Sequence, residues 1–197
     1  QIKETASAAV EEFEKVVKVK KHTAEETKRV AKKANSIMRE VTLSTFADII
    51  KYVKALAEVR ALRGEIISLK DLKYVDIGFI DTLEEEVVGA TEKLSQNCVN
   101  FLLEPDALEV YQKNIDEIKA QVDSLERTVE AEEIESSLKD SSSQLEMLID
   151  IVSNLKIDDP TQTTAIIDNI SVLFTELNQL NILVKNKKKA LNKGELS

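Results

Sequence analysis

The chain has 197 residues and a formal net charge of −9, with 43% hydrophobic and 32% charged residues. This balance is typical of a folded domain rather than of a disordered segment. Four Gly, two Pro, no Trp and 4% aromatic residues disfavour sandwiches, barrels and doubly wound sheets, which need turn residues and aromatic or β-branched strands. The composition therefore predicts an all-α protein.

The cysteine content and the hydropathy indicate in which cellular compartment the protein is expected. The single Cys98 cannot form an intramolecular disulfide, so nothing indicates an oxidising environment. The longest apolar runs, such as residues 101–103, fall far short of the roughly 20 residues of a membrane span, and no signal-peptide pattern opens the chain. We expect a cytoplasmic protein without a membrane partner, and, because residue 1 is Gln, a piece of a longer protein.

The N-terminal part of the chain is predicted to form helices. Apolar residues at steps of three and four predict the first one, and these residues are Ile2, Ala6, Ala9, Phe13 and Val16. Thr23 and Glu26 match a capping box, which leaves open whether a second helix starts there or the first continues. A weaker cap at Thr45 and Asp48 predicts a further helix that runs to about Gly64.

The stretch DLKYVDIGFIDTLEEEV has features of both a strand and a helix. Apolar residues recur at steps of three and four through Gly78, and a glycine inside a helix costs only about 1 kcal/mol relative to Ala. We therefore predict a short extended piece at residues 65–68 and a helix from about 69 to 103. The alternative is a loop or hairpin up to Ile80 and a helix capped at Asp81.

The C-terminal half contains two runs of apolar residues that alternate by three and four, as in a coiled-coil seam. The first run is Leu108, Tyr111, Ile115, Ile118, Val122 and Leu125, and the second is Ile166, Ile170, Leu173, Leu177 and Leu180. We predict that these residues pack helix against helix.

Two prolines suit the first turns of these C-terminal helices. Pro105 opens the first, and Pro160, with Asp159 as its N-cap, opens the second. The short connection before Pro160 predicts an antiparallel hairpin between a helix over residues 106–157 and a helix over about 160–192. The seam continues to Val129 and shifts by two places across residues 130–144, which leaves open whether the longer helix unwinds locally there or breaks near the serines at 141–143.

The predicted architecture is an elongated helical bundle with a long antiparallel coiled-coil hairpin. Residues 1–64 are expected to form N-terminal helices with a basic block, residues 65–104 a connecting segment and helix, and residues 105–197 the hairpin. One continuous domain is the alternative. Such a bundle offers helix faces to a partner and encloses no chamber for chemistry.

Charge is distributed unevenly along the chain. Residues 15–39 contain nine basic and two acidic residues, whereas residues 81–159 carry a net charge of −15. The candidate polyanion-binding residues are Lys18, Lys20, Lys21, Lys28, Arg29, Lys32 and Lys33. Such a cluster suits nucleic acid or another polyanion, although lysines more often solvate a helix face or pair with acidic residues. Few aromatic residues lie between these lysines, so stacking on single-stranded bases is not indicated.

The sequence predicts no catalytic, cofactor-binding or metal site. His22 is the only histidine, which excludes an intramolecular two-His zinc site and a di-iron site with two Glu-x-x-His motifs. The four glycines are too far apart to form a phosphate-binding loop. We therefore expect a non-catalytic helical scaffold or interaction segment that binds a protein partner or itself through its seams. The alternative is a polyanion-binding or nucleic-acid-binding module that uses residues 15–39.

Three phrases of the sequence resemble a known family: GEIISLKDLKYVDIGFIDTLEEEV, VNFLLEPDALEVY and SNLKIDDPTQTTAIIDNISVLFTELN. They look like a helical stretch of very large bacterial AAA-type ATPases described as DNA-repair ATPases, and the likeness covers roughly residues 60–192. It implies a coiled-coil or scaffold segment of an ATP-driven machine. In that family the nucleotide-binding motifs belong to a separate module, and none occurs here, so no catalytic residue is implied.

Overall fold

A computed structural model describes residues 2–155 and 159–196, with side chains up to Gly194 in the last helix. Over these residues the chain forms helices and no strand, which confirms the predicted all-α fold. The helices are α1 (Ile2–Leu43), α2 (Ile49–Leu69), α3 (Ile77–Leu102), α4 (Glu109–Val122), α5 (Thr128–Asn154) and α6 (Pro160–Leu196).

Helix α1 is continuous through the capping box suggested by Thr23 and Glu26. Thr23 is buried, and its hydroxyl donates a hydrogen bond of 2.8 Å to the carbonyl oxygen of Lys73. Glu26 instead accepts hydrogen bonds from Arg29, at 3.0 Å for the shorter one. No helix starts at Thr23, and neither side chain of the predicted capping box bonds to the other.

Helix α2 starts at Ile49, later than the predicted cap at Thr45 implies, and it also ends later than predicted. The carboxylate of Asp48 accepts a 2.9 Å hydrogen bond from the backbone N–H of Lys51 and so satisfies one free donor of the first turn. The helix passes Gly64 and ends at the buried Leu69. The predicted extended piece at residues 65–68 is therefore wrong.

Helix α3 starts at Ile77, so the helix predicted from about residue 69 is also wrong. A carboxylate oxygen of Asp76 accepts a 3.2 Å hydrogen bond from the backbone N–H of Phe79. The alternative prediction, a loop followed by a capped helix, agrees better with the structure, although the capping residue is Asp76 and not Asp81.

The segment before α3 contains one residue in the left-handed region. Tyr74 has φ of 66° and an exposed side chain, a conformation that residues with a Cβ rarely adopt. A left-handed residue interrupts the helical hydrogen-bond pattern, so the chain cannot continue α2 directly into α3. Apolar spacing alone contains no signal for this interruption.

The chain forms two compact units. The first comprises Gln1–Phe46 and Lys54–Leu94, and the second comprises Ala47–Val53 and Ser95–Ser197. The division falls inside α2 and inside α3. These units interleave along the chain, whereas the predicted segments 1–64, 65–104 and 105–197 follow one another.

The core of the first unit consists of apolar residues spaced by three and four on three helices. They are Val30, Ala34, Ile37 and Val41 of α1, Val59, Leu62, Ile66 and Leu69 of α2, and Ile80, Leu83, Val87 and Ala90 of α3. Ion pairs border this core: Lys33 of α1 lies 2.9 Å from Glu65 of α2, and Arg63 of α2 lies 3.5 Å from Glu84 of α3.

In the second unit α5 packs along α6, and α4 packs against both. The Thr128 hydroxyl at the start of α5 donates to the Asn192 side chain near the end of α6, at 3.1 Å. Because the start of α5 lies beside the end of α6, the two helices pack antiparallel. The Tyr111 hydroxyl of α4 donates to the Gln144 side chain of α5, at 2.8 Å.

The predicted long hairpin is not confirmed, because a single helix does not extend over residues 106–157. The chain turns at residues 123–127, where Arg127 is extended with φ of −119° and ψ of 141°. Helix α5 is then continuous through its serines, and Ser141 is buried. Val129, next in the seam after Leu125, is 62% exposed. The predicted break near the serines therefore does not occur, and the turn lies before the predicted shift of the seam.

Ten of the eleven residues of the two predicted C-terminal seams are buried, and Leu108, just before α4, is half-buried. The spacing by three and four thus predicts which face of α4 and of α6 is buried, even though the helix boundaries differ from the predicted ones. The spacing cannot detect the turn, because it continues unchanged from Val122 at the end of α4 to Leu125, which is buried within the turn itself.

Candidate interaction surfaces on helix α1

The first half of α1 carries an apolar face without a partner among the residues that the structure describes. No side chain from residue 2 to residue 22 is buried, and only Val16 is half-buried. Phe13 is 69% exposed and Ile2 is 87% exposed. Monomeric proteins rarely leave a continuous row of large apolar side chains in water, so this face is a candidate interaction surface. We define the apolar face as Ile2, Ala6, Ala9, Phe13 and Val16, bordered by Val10 and Val17.

The apolar face belongs to a seam that continues into the core of the first unit. Steps of three and four run from Ala9 to Val41, and the buried members of this seam in α1 are Thr23, Val30, Ala34, Ile37 and Val41. The spacing does not change where burial begins. The first half of α1 therefore has the pattern of a packed helix and lacks only the helix that covers it.

A basic stripe lies on the opposite side of α1. We define it as Lys18, Lys21, Lys28 and Lys32, all exposed. A helix turns about 100° per residue, so these four residues share an arc of about 80°, roughly opposite the buried residues of the same helix. Among the described residues, none of the four has a carboxylate within ion-pair distance.

The remaining residues of the predicted polyanion-binding set lie elsewhere on α1. Arg29 and Lys33 face Glu65 of α2, at 4.0 and 2.9 Å. The hydrogen bond from Arg29 holds the pKa of the Glu26 carboxyl below its ordinary value. The Lys20 ammonium lies 5.1 Å from the centre of the Tyr74 ring. The structure thus divides the predicted set into a free stripe and residues with partners in the first unit.

A shallow groove beside Tyr74 was not anticipated from the sequence. Its volume is about 460 Å³, and it is lined by residues that include Lys20, Ala24, Thr27, Tyr74 and Phe79. Both aromatic side chains are about half exposed. Tyr74 is distant in sequence from the α1 residues that line the groove, so no sequence pattern indicates that they lie close together.

The second unit contains a polar groove between α5 and α6, with a volume of about 520 Å³. Glu132 and Glu135 lie there, and their carboxylates are 3.6 and 3.7 Å from the Lys188 ammonium. The single ammonium of Lys188 offsets the negative charge of both carboxylates, and one buried carboxylate oxygen of Glu135 accepts no hydrogen bond from a described residue.

Two groups that carry chemistry elsewhere are protonated here. Burial raises the pKa of the Cys98 thiol to about 12. Burial also raises the pKa of the Tyr111 hydroxyl, with smaller effects of Cys98 and Asp48. A thiol that stays protonated is a poor nucleophile, so Cys98 acts as a small apolar core residue.

No group of three or more His, Cys, Asp or Glu side chains in the described ranges is placed to hold a metal ion. His22 is exposed on α1. Across the same ranges, every helix is too short or too polar to cross a lipid bilayer.

Comparison with known proteins gives one match. Residues 106–190, which contain α4, α5 and most of α6, match a family described as a domain of unknown function, DUF7902. No curated protein matches the chain, and no solved structure matches it. The apolar face and the basic stripe of α1 lie outside the matched residues.

Proposed function

We propose that this chain is a non-catalytic helical scaffold that binds a protein partner through the apolar face of α1. The observation that carries the proposal is the exposure of Ile2 and Phe13, at 87% and 69%, on a seam whose later residues are buried. Fully burying a large apolar side chain contributes about 1.5–3 kcal/mol. Full burial of these two side chains would therefore contribute about 3–6 kcal/mol to a helix contact.

The absence of an activated side chain among the described groups supports a non-catalytic role. Cys98 and Tyr111 are buried and protonated. Glu26 and Glu84, whose carboxyl pKa values are lowered, each pair with a basic side chain, as Glu84 does with Lys70 at 2.7 Å. Neither arrangement supplies a nucleophile beside a base.

The proposal extends to the setting in which the scaffold works. A cytoplasmic ATP-driven protein that contains this chain as a segment is supported by the resemblance of residues 60–192 to a helical stretch of AAA-type ATPases. The apolar face would then join the segment to another part of the machine. A full-length polypeptide without a nucleotide-binding module would contradict this extension.

Site-specific photo-crosslinking in cells tests the docking surface. Benzoylphenylalanine at position 13 keeps an aromatic side chain, and we expect it to form one defined covalent adduct under ultraviolet light. The control is the same residue at position 11, because Glu11 is exposed on the opposite side of α1. Adducts of equal yield at both positions, or none at position 13, would show that the apolar face does not dock a protein.

The basic stripe favours a second candidate function, binding of a polyanion such as nucleic acid. Its support is the position of Lys18, Lys21, Lys28 and Lys32 on one side of α1, without acidic partners in the described part of the chain. Four phosphate contacts predict a binding constant that falls with salt, with a logarithmic slope of about −3 to −4 on duplex DNA.

Fluorescence anisotropy with labelled duplex DNA at low salt tests this candidate. Changing Lys21, Lys28 and Lys32 to Glu should abolish binding, because each change replaces an attraction by a repulsion. The matched control changes Lys51 and Lys54, two exposed lysines of α2, to Glu. Absence of binding by the unmodified chain at low salt would eliminate this function.

A further inference from the structure

We infer that the groove beside Tyr74 binds single-stranded nucleic acid, with a base stacked on its aromatic side chains and the phosphates on the lysines of α1. The inference rests on the second candidate function, polyanion binding by the basic stripe, because it names the class of polyanion. The four side chains that carry it line one groove and are Tyr74, Phe79, Lys20 and Lys28.

The fold brings aromatic side chains to a basic segment that has none of its own. Residues 15–39 contain no Phe, Trp or Tyr, so their sequence does not indicate base stacking. In the structure two aromatic residues from a distant part of the chain line the same groove as two of the lysines. Proteins that bind single strands combine a positively charged groove with aromatic rings on which bases stack. The groove contains both parts.

The side chain of Tyr74 is exposed although its backbone is tied to α1. Its exposed fraction is 55%, and its φ of 66° is a conformation that glycine or asparagine adopts more easily. The Thr23 hydroxyl donates a 2.8 Å hydrogen bond to the carbonyl oxygen of Lys73, which fastens the residue before Tyr74 to α1. The ring therefore lies beside the groove without being buried, as a stacking platform requires.

The charges at the groove suit a polyanion. Lys28 lines the groove and also belongs to the basic stripe, so the groove lies beside the free ammonium groups. The Lys20 ammonium lies over the Tyr74 ring, 5.1 Å from its centre. Asp76 is the one carboxylate among the described residues that line the groove. It accepts a hydrogen bond from the Phe79 N–H at the start of α3, where the positive end of the helix dipole offsets its charge.

The exposed rings favour a single strand over a duplex. A base must leave its stack to reach an aromatic ring, which costs free energy in a duplex and least in a single strand. The groove has a volume of about 460 Å³, within the range of pockets that hold small ligands. An unpaired base can therefore enter it while neighbouring phosphates contact Lys21, Lys28 and Lys32. A duplex uses only the stripe, so we expect it to bind more weakly.

Fluorescence anisotropy with labelled strands of equal length at low salt tests the stacking. The chain should bind oligodeoxythymidylate more tightly than it binds a duplex or an abasic strand, which keeps every phosphate but lacks the bases. Tyr74→Leu should weaken binding of oligodeoxythymidylate at least about fivefold, and Phe79→Leu should act in the same direction. Neither change should affect binding of the abasic strand.

Two matched variants serve as controls. Tyr74→Phe keeps the ring and should bind like the unmodified chain. Ile77→Ala changes an exposed residue of the same region that does not line the groove, and it should also leave binding unchanged. Circular dichroism checks that each variant keeps the helical fold. A loss of affinity in Tyr74→Phe as large as in Tyr74→Leu would contradict stacking on the ring.

Tyrosine emission gives a spectroscopic signature of the same contact. The chain has three tyrosines and no tryptophan, and Tyr52 and Tyr111 are each 3% exposed. A stacked base should therefore quench the emission of Tyr74 during titration with oligodeoxythymidylate, whereas the abasic strand should not. Quenching of equal size in Tyr74→Leu would place the base elsewhere and overturn the inference.

The inference and the second candidate function fail differently. Equal affinity for the abasic strand and for oligodeoxythymidylate, with no effect of Tyr74→Leu, keeps polyanion binding by the stripe and overturns base stacking. Polyglutamate that displaces the strand as well as unlabelled oligodeoxythymidylate does, at equal charge concentration, has the same meaning, because an acidic peptide then suits the site equally. Absence of binding to single strand and duplex at low salt overturns both.

Discussion

The Thr23 hydroxyl of α1 donates a 2.8 Å hydrogen bond to the backbone carbonyl of Lys73, a residue 50 positions away in the turn before α3. Thr23 is only 4% exposed. The bond ties the middle of α1 to a segment that has no regular secondary structure of its own. It also lies close to the left-handed Tyr74, so it helps to hold the chain reversal in place.

Thr23→Val should lower the free energy of unfolding by about 1–3 kcal/mol, because it keeps the side-chain volume but leaves the carbonyl without its donor. Urea unfolding followed by circular dichroism measures this change. Thr82→Val is the matched control in the same unit, since the exposed Thr82 hydroxyl bonds only to its own helix at Gly78. A loss no larger than that of the control would show that the tertiary hydrogen bond contributes little.

Stability should depend on pH through Glu84. Its carboxylate accepts a hydrogen bond from Lys70, which holds the pKa of Glu84 below the ordinary value of 4.5. A lowered pKa stabilises the fold above pH 4.5, and this contribution disappears as the pH falls through the folded-state value. Glu84→Gln should therefore reduce stability near neutral pH and make little difference in strong acid.

Urea unfolding at a series of pH values measures this difference, with Glu85→Gln as the control at an exposed neighbour. Lys70, the ion-pair partner of Glu84, gives a second pH dependence of stability, at alkaline pH. Glu84 and then Asp81 raise the pKa of Lys70 above 10.5, so its contribution is present below pH 10.5 and is lost as pH rises through the folded-state value. A constant gap between the unmodified chain and Glu84→Gln at all pH values would contradict the linkage.

Cys98 should be unreactive in the folded chain. It is fully buried, and burial raises the pKa of its thiol to about 12, so thiolate is scarce at neutral pH. We expect an aromatic disulfide reagent to label Cys98 rapidly only in urea. Lys93→Cys in a Cys98→Ser chain places an exposed thiol on the same helix and should react at once under native conditions. Equal rates for the two thiols would mean that the core opens readily.

Two adjacent residues of α6 should respond in opposite ways to the same substitution. Leu173 is 4% exposed and Val172 is 61% exposed. Leu173→Asp buries a charge without a partner and should cost several kcal/mol or unfold the second unit. Val172→Asp should change the free energy of unfolding by less than about 0.5 kcal/mol, apart from a small loss of helix propensity. Similar melting temperatures for both variants would show that the inward face of α6 is misassigned.

A glycine inside α3 should be replaceable with a gain. A Cβ at Gly89 would have no other atom within 4 Å, and alanine is favoured over glycine in a helix interior by about 1 kcal/mol. Gly89→Ala should therefore raise the midpoint of thermal unfolding. Gly78→Ala should give a smaller gain, because Gly78 lies in the first turn of α3 and the preference for alanine over glycine applies to the helix interior. A lower midpoint for Gly89→Ala would mean that the helix needs the glycine for another contact.

The predictable parts of the fold depend on short-range chemistry. The predicted cap at Asp159 needs only a carboxylate and a nearby backbone N–H, and it forms at 2.9 Å. The helix predicted to be capped at Thr45 is capped by Asp48 instead, also at 2.9 Å. The inward faces of α4 and α6 follow from the spacing of Ile115, Ile118 and Leu173. These features connect residues within a few positions of each other, so the sequence contains all the information they need.

The candidate surface was predictable only in part. The sequence places Ile2, Phe13 and Val16 on one face of a helix and places the lysines of residues 15–39 together. It does not indicate that the first half of α1 lacks a partner in the described chain, or that Arg29 and Lys33 pair with Glu65. Those facts depend on α2, a separate helix whose position no local pattern describes.

By itself, the sequence determined that the chain forms helices and which side of most of them is apolar, because helix geometry brings residues three and four apart onto one face. The tertiary structure alone decided where helices end and which faces are covered. The turn at residues 123–127, the left-handed Tyr74 and the bond from Thr23 to Lys73 all depend on contacts between distant residues. Their energies exceed the small local preferences that favour a longer helix or an earlier cap.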